Sequence, residues 1–555
     1  MKDLLRETVF GRLVRLASGG KLFAYDEELD PSTLQKYQPI DSESSSTSLN
    51  VDVKQTHQED GKPADPEKPP FADQERPIPI DQEKGADHLL VAWAPNDPGN
   101  PRNWSTPKKL FVTFQICLLT TSVYIGSAIY TAGLQGVEAE FHISPVKALL
   151  GLTLFVVGYA LGPMVWAPMS EIPYIGRNPV YVGTLFAFVL LQLPVIYASN
   201  SSMLLAFRFL TGLVGSPVLA TGGATVADIY EPKKQAYGIG VWGIAAVFGP
   251  AMGPLIGGFA AESEGWKWTI WELMWLSGFC FVVLFFFLPE TSSSNILYRR
   301  TVRIRALTNN PRVKCEPEIE AEGMSGKEIG MMVFIRPFTL SFTEPICFLL
   351  NLYLALIYGL LYLWFESFPI VFLDIYHFTL GTEGLAFLGI LIGSFIIMIP
   401  FFYYNYKYVE PQFNEEGRLR PEIRLQPAFV GAFLIPICLF WFGWSARPSI
   451  NWIMPVIGSS FFSMGSFLLF MAVLAYLGDA YPKYIASVFA GNDLMRSSFG
   501  AAFPLFADAM YHKLGVGWAS SLLGFLSIVF IPIPFVLYFY GRKIRGASKM
   551  ATHDL

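Results

Sequence analysis

Apolar and polar residues alternate along this chain in long blocks. Twelve apolar runs lie near 110–132, 147–166, 179–198, 203–228, 236–259, 268–288, 345–367, 384–404, 427–446, 452–476, 485–507 and 517–540. Each is long enough to cross a hydrocarbon layer of about 30 Å as a helix. Lipid offers backbone N–H and C=O groups no partners, so a spanning segment must satisfy them internally, which predicts helices. The hydrophilic segment 289–344 separates six runs from six. The expected fold is an all-α membrane protein with twelve transmembrane helices in two pseudo-symmetric six-helix bundles, 110–288 and 345–540, joined by a central cytoplasmic loop, 289–344.

The fifth run is the most distinctive. From Gly238 to Gly258 it carries no charge, and Ala245, Gly249, Gly253 and Gly257 recur every four residues, on one helix face. Pro250 and Pro254 stand beside that ridge, and Gly258 follows it. Helices in lipid associate by close backbone approach at small residues. A matching ridge is expected in span eight, at Gly389 and Gly393, across the boundary between the halves. Gly238, Gly240 and Gly243 also match G-x-G-x-x-G, but without the flanking strand and following acid that nucleotide binding needs.

The flanks differ in character. Residues 1–109 form an expected cytoplasmic tail. Within it, 1–25 is read as an amphipathic helix: Leu5, Val9, Leu13 and Leu16 share a face, bordered by Arg6, Arg12 and Arg15. It suits either an anionic lipid surface or the protein's own loops. Residues 26–88 hold 16 Asp/Glu against 6 Lys/Arg with few aromatics, and disorder is expected there. With the N-terminus inside, the inner loops and the tail 541–555 hold 20 Lys/Arg, against Lys147, Lys267, Arg447 and Lys513 on the other side. Both termini are therefore expected in the cytoplasm.

Composition narrows the function. Mean hydropathy is +0.40, and 15% of the 555 residues are charged, against about 25% in soluble proteins. Six histidines show no H-x-x-x-H spacing, and there is neither a Walker lysine nor a G-x-S-x-G motif. No enzyme chemistry, metal, cofactor or nucleic-acid partner is expected, and the five cysteines suggest no disulfide framework. Transport would then draw on an ion gradient.

Several motifs carry a resemblance: NDPGNPRNWS before the first span, GPMVWAPMSEIPYIGR from Gly162, RFLTG from Arg208, GPAMGPLIGG from Gly249, LPET from Leu288 and FAGNDLMR from Phe489. From about Val91 onward the chain resembles the fungal drug:proton antiporters of the major facilitator superfamily, in particular the fluconazole- and benomyl-resistance pumps. It departs from the general superfamily form at Ser170-Glu171, where an Asp-Arg pair is usual. The resemblance implies proton-coupled efflux of small amphipathic compounds at the plasma membrane by alternating access. It marks Gly249, Pro250, Gly253, Pro254, Gly257 and Gly258 as the antiporter motif. A dedicated exporter of one metabolite, toxin or polyamine is the alternative, and a transporter-like sensor is another. The expected partners are small-molecule substrates, protons and the lipid bilayer.

Charges inside spans are costly, about 2.5–3.5 kcal/mol on insertion scales, and so mark candidate sites. Arg208 either modulates a proton site or orients a substrate, or else it snorkels outward or ties helices together through carbonyls. Glu171, Arg177 and Asp228 are the expected inner gate, paired when the inside is shut. Asn351, Tyr358, Tyr362 and Glu366 form a polar-aromatic stripe on span seven, suited to a cavity wall or a packing face. Gln115, Tyr124, Tyr130 and Asn492 complete the candidate substrate contacts. Asp493 and Arg496, three apart, can neutralise each other. Glu366 is the expected proton-coupling carboxylate: the segment around it resembles the family's span seven, and burial disfavours its charge.

Overall fold

The structure, a computed structural model, describes residues 2–38, 88–323, 328, 330–331, 335–415, 417–548 and 550–552. It divides into two compact units, one of 1–23, 95–296 and 324–555, the other of 24–94 and 297–323.

The larger unit holds the spans. In order they are Thr106–Ala128, Pro145–Glu171, Arg177–Ile196, Ser201–Ile229, Gln235–Glu264 and Trp266–Phe287, then Pro345–Phe365, Leu388–Tyr404, Gln426–Ser445, Ile453–Ala480, Ile485–Ala502 and the helix beginning at Pro504. Eleven helices among the described residues are long and apolar enough to cross a membrane; Ile485–Ala502, which carries Asp493 and Arg496, is not one of them. The last two spans are joined without a loop. Helix Pro504–Phe530 leaves helical geometry only at Gly515 (φ 73°), a backbone conformation open to glycine.

Local sequence explains the helix starts. Ser144 Oγ accepts from Lys147 N (3.3 Å) ahead of Pro145, and Asn200 Oδ1 accepts from Met203 N (2.8 Å), so both cap orphan donors. Before the first span, Asp97 Oδ1 accepts from Gly99 N (2.8 Å) and Asn103 Nδ2 donates to Asp97 O (3.0 Å). NDPGNPRNWS is thus a self-bonded turn that aims the chain into the first span. In the second half the core centres on Trp364, stacked on Phe462 (5.2 Å) and edge-on to Phe442 (5.0 Å) and Phe368 (4.9 Å).

Three stretches differ from expectation. The N-terminal segment is two helices, Lys2–Arg6 and Val9–Ala17, because Thr8 Oγ1 accepts from Gly11 N (3.0 Å) and starts a new turn. It packs on protein: Phe10 lies 4.9 Å from Phe286, while Leu13 and Leu16 stay exposed. At the other end the last helix runs Pro532–Ala547, into the expected tail, with Arg545 fully buried.

The third stretch is the smaller unit, where disorder and a plain loop were expected. Asp26–Leu29 is helical and Pro31–Tyr37 forms a 3-10 helix; 39–87, the rest of the acidic stretch before His88, lie outside the described residues. Leu89–Leu90 pairs in parallel with Val313–Lys314, over a core of Tyr37, Val91, Leu297, Ile304, Val313 and Cys315. Glu27 meets Arg303 (2.9 Å) and Arg300 (3.7 Å). Burial raises its carboxyl pKa, but the two guanidiniums outweigh that and hold it below the usual carboxylate range.

Candidate functional site

A cavity of about 380 Å³ lies between the halves. Spans four, five, eight, ten and eleven line it, and its wall reaches Arg102, Asp228, Gln235, Arg424 and Asp479 at the ends of spans nearest the termini. Trp242, Phe401, Met471 and Phe489 give it an apolar wall, while Asn492, Asp493 and Arg496 form its polar floor. A deeper apolar cavity of about 80 Å³ continues from Trp242 and Arg496 to Tyr124, Pro250, Tyr358 and Phe470.

Beyond it, away from the termini, the halves are clasped. Tyr159 bonds Tyr358 (2.8 Å) and Tyr362 (3.2 Å) through hydroxyls, Ser127 bonds Tyr362 (3.0 Å), and Thr153 Oγ1 donates to Ala501 O (3.1 Å). At the terminal end the edge between spans five and eight is held by Lys234 and Glu410 (2.8 Å), with Tyr237 also donating to Glu410. The conformation is therefore open at the end that carries the termini and shut at the other.

The span-five ridge turns out to serve its own half. A Cβ on Gly249 would stand 2.6 Å from Tyr124 Cβ, one on Gly253 2.7 Å from Ile129 N, and one on Gly257 2.7 Å from Ile129 O. The ridge thus seats the first span. Gly389 and Gly393, its expected partners, pack instead on span ten, where a Cβ would meet Ser459 Oγ (2.7 Å) and Ser463 Oγ (2.5 Å). The half-to-half contact falls one residue round the helix, where Gly258 meets Leu380 and Leu255 meets Gly384. A residue one step on points about 100° away on a helix, so the four-residue ridge and the interface belong to different faces. Pro250 lines the deep cavity.

The expected gate residues are only partly together. Arg177 pairs with Asp228 (2.8 Å) and donates to Thr225 Oγ1 (2.7 Å), yet this pair forms while the adjacent cavity is open. Both residues belong to the first half, so the pair does not bridge the halves. Glu171 feels the Arg177 charge but makes no ion pair with it among the described residues. The acid that secures this corner is Glu290 of LPET. It is fully buried and accepts from the backbone N of Arg177 (3.1 Å), Thr291 (3.0 Å) and Ser292 (3.0 Å), and it pairs with Arg12 (3.4 Å). In the sequence Glu290 marks only the end of span six, in LPET; an acid closing the span without a nearby base is the available signal.

Of the candidate substrate contacts, Tyr124, Tyr358 and Asn492 line the cavities. Asn351 supports from behind, accepting from Asn492 Nδ2 (2.8 Å) and donating to Ser341 (3.2 Å). Tyr362 belongs to the clasp. Gln115 donates to Phe287 O (3.3 Å) and Tyr130 to Ala148 O (2.9 Å), so both are packing contacts of the first half. Arg208 donates to Gly151 O (3.0 Å) and Gly126 O (2.8 Å) between the rings of Tyr130 (4.6 Å) and Phe155 (4.4 Å), which links spans one, two and four. Glu366 lines neither cavity; the charges that reach it are the acids Asp508 and Glu383. Trp242 and Phe470 of the cavity walls and Tyr159 of the clasp are site residues that sequence reasoning missed, because in apolar spans an aromatic facing a site reads like one facing lipid.

The chain is similar to known proteins over most of its length. The chain is 43% identical to transporter mfs1 of Schizosaccharomyces pombe over 99% of both chains. It is 37% identical to the cycloheximide resistance protein of Candida maltosa, covering 99% of this chain and 100% of that one. It is 42% identical to fluconazole resistance protein 1 of Saccharomyces cerevisiae over 83% and 85%. Residues 116–504 match the Major Facilitator Superfamily. Two helical halves around a cavity shut at one end, with this match across most of the spans, make the chain a member of the major facilitator superfamily.

Proposed function

We propose that this protein is a proton-coupled exporter of small amphipathic toxicants, azole-like and cycloheximide-like compounds among them, in the plasma membrane with both termini in the cytoplasm. The observation that carries this reading is the cavity itself, apolar and aromatic on its walls with a few polar groups at its floor. Such a wall accepts many shapes, while few polar groups orient a ligand loosely. An opening at the terminal end admits compounds from the cytoplasm and its inner leaflet. The relatives named for fluconazole and cycloheximide resistance support the same substrate class. A proton moving inward supplies the drive: one charge across 100 mV is worth about 2.3 kcal/mol, before any pH gradient is added.

The test is resistance profiling in a pump-deleted yeast host. Expression is expected to raise the inhibitory concentrations of fluconazole and cycloheximide and to lower accumulation of labelled drug, with the effect abolished by an uncoupler. Unchanged accumulation of both drugs, with the protein at the cell surface, would overturn the reading.

A further inference from the structure

We propose that Asp493 is the proton-carrying carboxylate and that Arg496 relays its charge state to the contact between the halves. This rests on the export reading above and deepens it by naming where the proton sits.

Asp493 and Arg496 stand at the floor of the cavity, one turn apart on span eleven. Asp493 Oδ1 takes both Arg496 donors, Nε at 2.9 Å and Nη2. Asp493 Oδ2 is buried and has no hydrogen-bond partner among the described residues. A buried carboxylate oxygen left unpaired is disfavoured, because its hydration is lost and nothing replaces it. Binding a proton at Oδ2 removes that charge and leaves the Oδ1 contacts geometrically free to remain. The site thus has one oxygen committed to the arginine and one without a partner among the described residues, and Asp493 itself lines the cavity.

The consequence reaches the other half through Arg496. The same Nη2 donates to Tyr124 of the first span (3.1 Å), and the guanidinium lies over the rings of Tyr358 (5.2 Å) and Phe470 (5.6 Å). With Asp493 ionised, Arg496 is neutralised beside it and anchored against Tyr124. With Asp493 protonated, the guanidinium keeps its full charge in an apolar, aromatic box and loses most of its attraction to Oδ1. That change strains the bond to Tyr124, which crosses from one half to the other at the bottom of both cavities. The groups facing the pair are Tyr124 from span one, Tyr358 from span seven, the Phe470 ring from span ten and Asn492 beside it on span eleven; the other charges on the cavity wall, Arg102, Asp228, Arg424 and Asp479, belong to its mouth. In the cycle, the O–H bond forms at Oδ2 while the site faces outward, with the proton given up by hydronium of the outer solution, which is left as water. It breaks when the site faces the cytoplasm, with the proton passing to water in the cavity.

The experiment uses the full-length protein in proteoliposomes with labelled fluconazole or cycloheximide. A one-unit pH gradient can drive about tenfold accumulation per proton exchanged. Wild type is expected to accumulate drug, whereas Asp493→Asn brings the ratio to one, and its exchange of labelled for unlabelled drug, at whatever rate, no longer depends on pH. Asp493→Glu restores part of the accumulation. If Asp493→Asn does not fold because Arg496 is left unpaired, the neutral pair Asp493→Asn/Arg496→Gln takes its place. Accumulation by either asparagine variant to the wild-type ratio, with wild-type pH dependence, overturns Asp493 and leaves export intact, with Glu366 next in line. Loss of exchange in both variants makes the pair structural and also overturns the proposal. No accumulation by wild type overturns the export reading and this one with it.

Discussion

At the cavity mouth, Arg177 meets Asp228 in the first half and Arg424 meets Asp479 in the second, each at 2.8 Å. The arginines are nearly covered (8% and 11% exposed) and the acids are not (34% and 32%), so the two corners are close equivalents. What secures each corner differs. In the first half, buried Glu290 at the end of span six accepts mainly from backbone N–H groups at the start of span three and just after itself. In the second half, buried Glu422 holds the Arg545 guanidinium of the last helix (2.8 and 3.1 Å), whose Nη1 in turn donates to Thr552 O (2.7 Å). A backbone donor has no rotamers and cannot swing away, while a guanidinium can. The first corner is a fixed joint between two spans, and the second is a clasp that side chains can open.

That contrast can be broken by substitution. The largest effect is expected from Glu290→Ala, which strands several buried backbone donors, each worth about 1–3 kcal/mol. Loss of the monodisperse peak in detergent chromatography is the readout, and no second substitution should rescue it, since its main partners are backbone. Glu422→Ala comes next: it removes the carboxylate from the buried Arg545 guanidinium, at a cost of about 3–5 kcal/mol in thermal unfolding. Here Glu422→Leu/Arg545→Leu should recover most of the loss, because an apolar pair carries no desolvation penalty. Failure of that rescue would remove the distinction between joint and clasp.

Asp228→Asn and Asp479→Asn should cost about 1 kcal/mol or less each, as partly exposed pairs, and, since neither pair bridges the halves, should change labelling of single cysteines at Ala224 and Ala475 little and by similar amounts. Unequal labelling would mean that the corners are not equivalents. The smallest effects lie outside the spans. Arg12→Ala removes one partly exposed contact and should lower stability by less than about 1 kcal/mol. In the smaller unit, the lowered pKa of Glu27 adds stability above the unfolded carboxylate pKa of about 4.3, lost as pH falls through the folded value. Proteolysis within 297–323 should therefore rise below about pH 4 in wild type but change less with pH in Glu27→Gln.

Much of the site was out of reach of residue spacing. Arg177 and Asp228 were legible as a pair because each is a charge at the same end of neighbouring spans. Arg424 and Asp479 follow the same rule and were not singled out, since the loop before span nine is rich in charge. The stripe on span seven divides in the fold: Tyr358 faces the cavity, Tyr362 joins the clasp and Asn351 stands behind Asn492. Spacing of three and four places residues on one side of a helix, but a span tens of ångströms long passes several different neighbours along that side.

Run length and the absence of charge were enough to place helices in the chain, because lipid permits little else. Loop charge set the expected orientation, and the glycine-proline stretch of span five marked the family. Which face of a span meets protein, and which meets lipid, was decided only by packing. The apolar 18-residue stretches of spans six and seven have mean hydropathies of 2.0 and 2.1, yet 28% of one and 78% of the other is buried within the fold. In water an apolar face announces the core. In lipid both sides of a helix are apolar, so the pattern that locates a span does not orient it, and the cavity, its clasp and the Asp493–Arg496 pair emerge only when the helices are assembled.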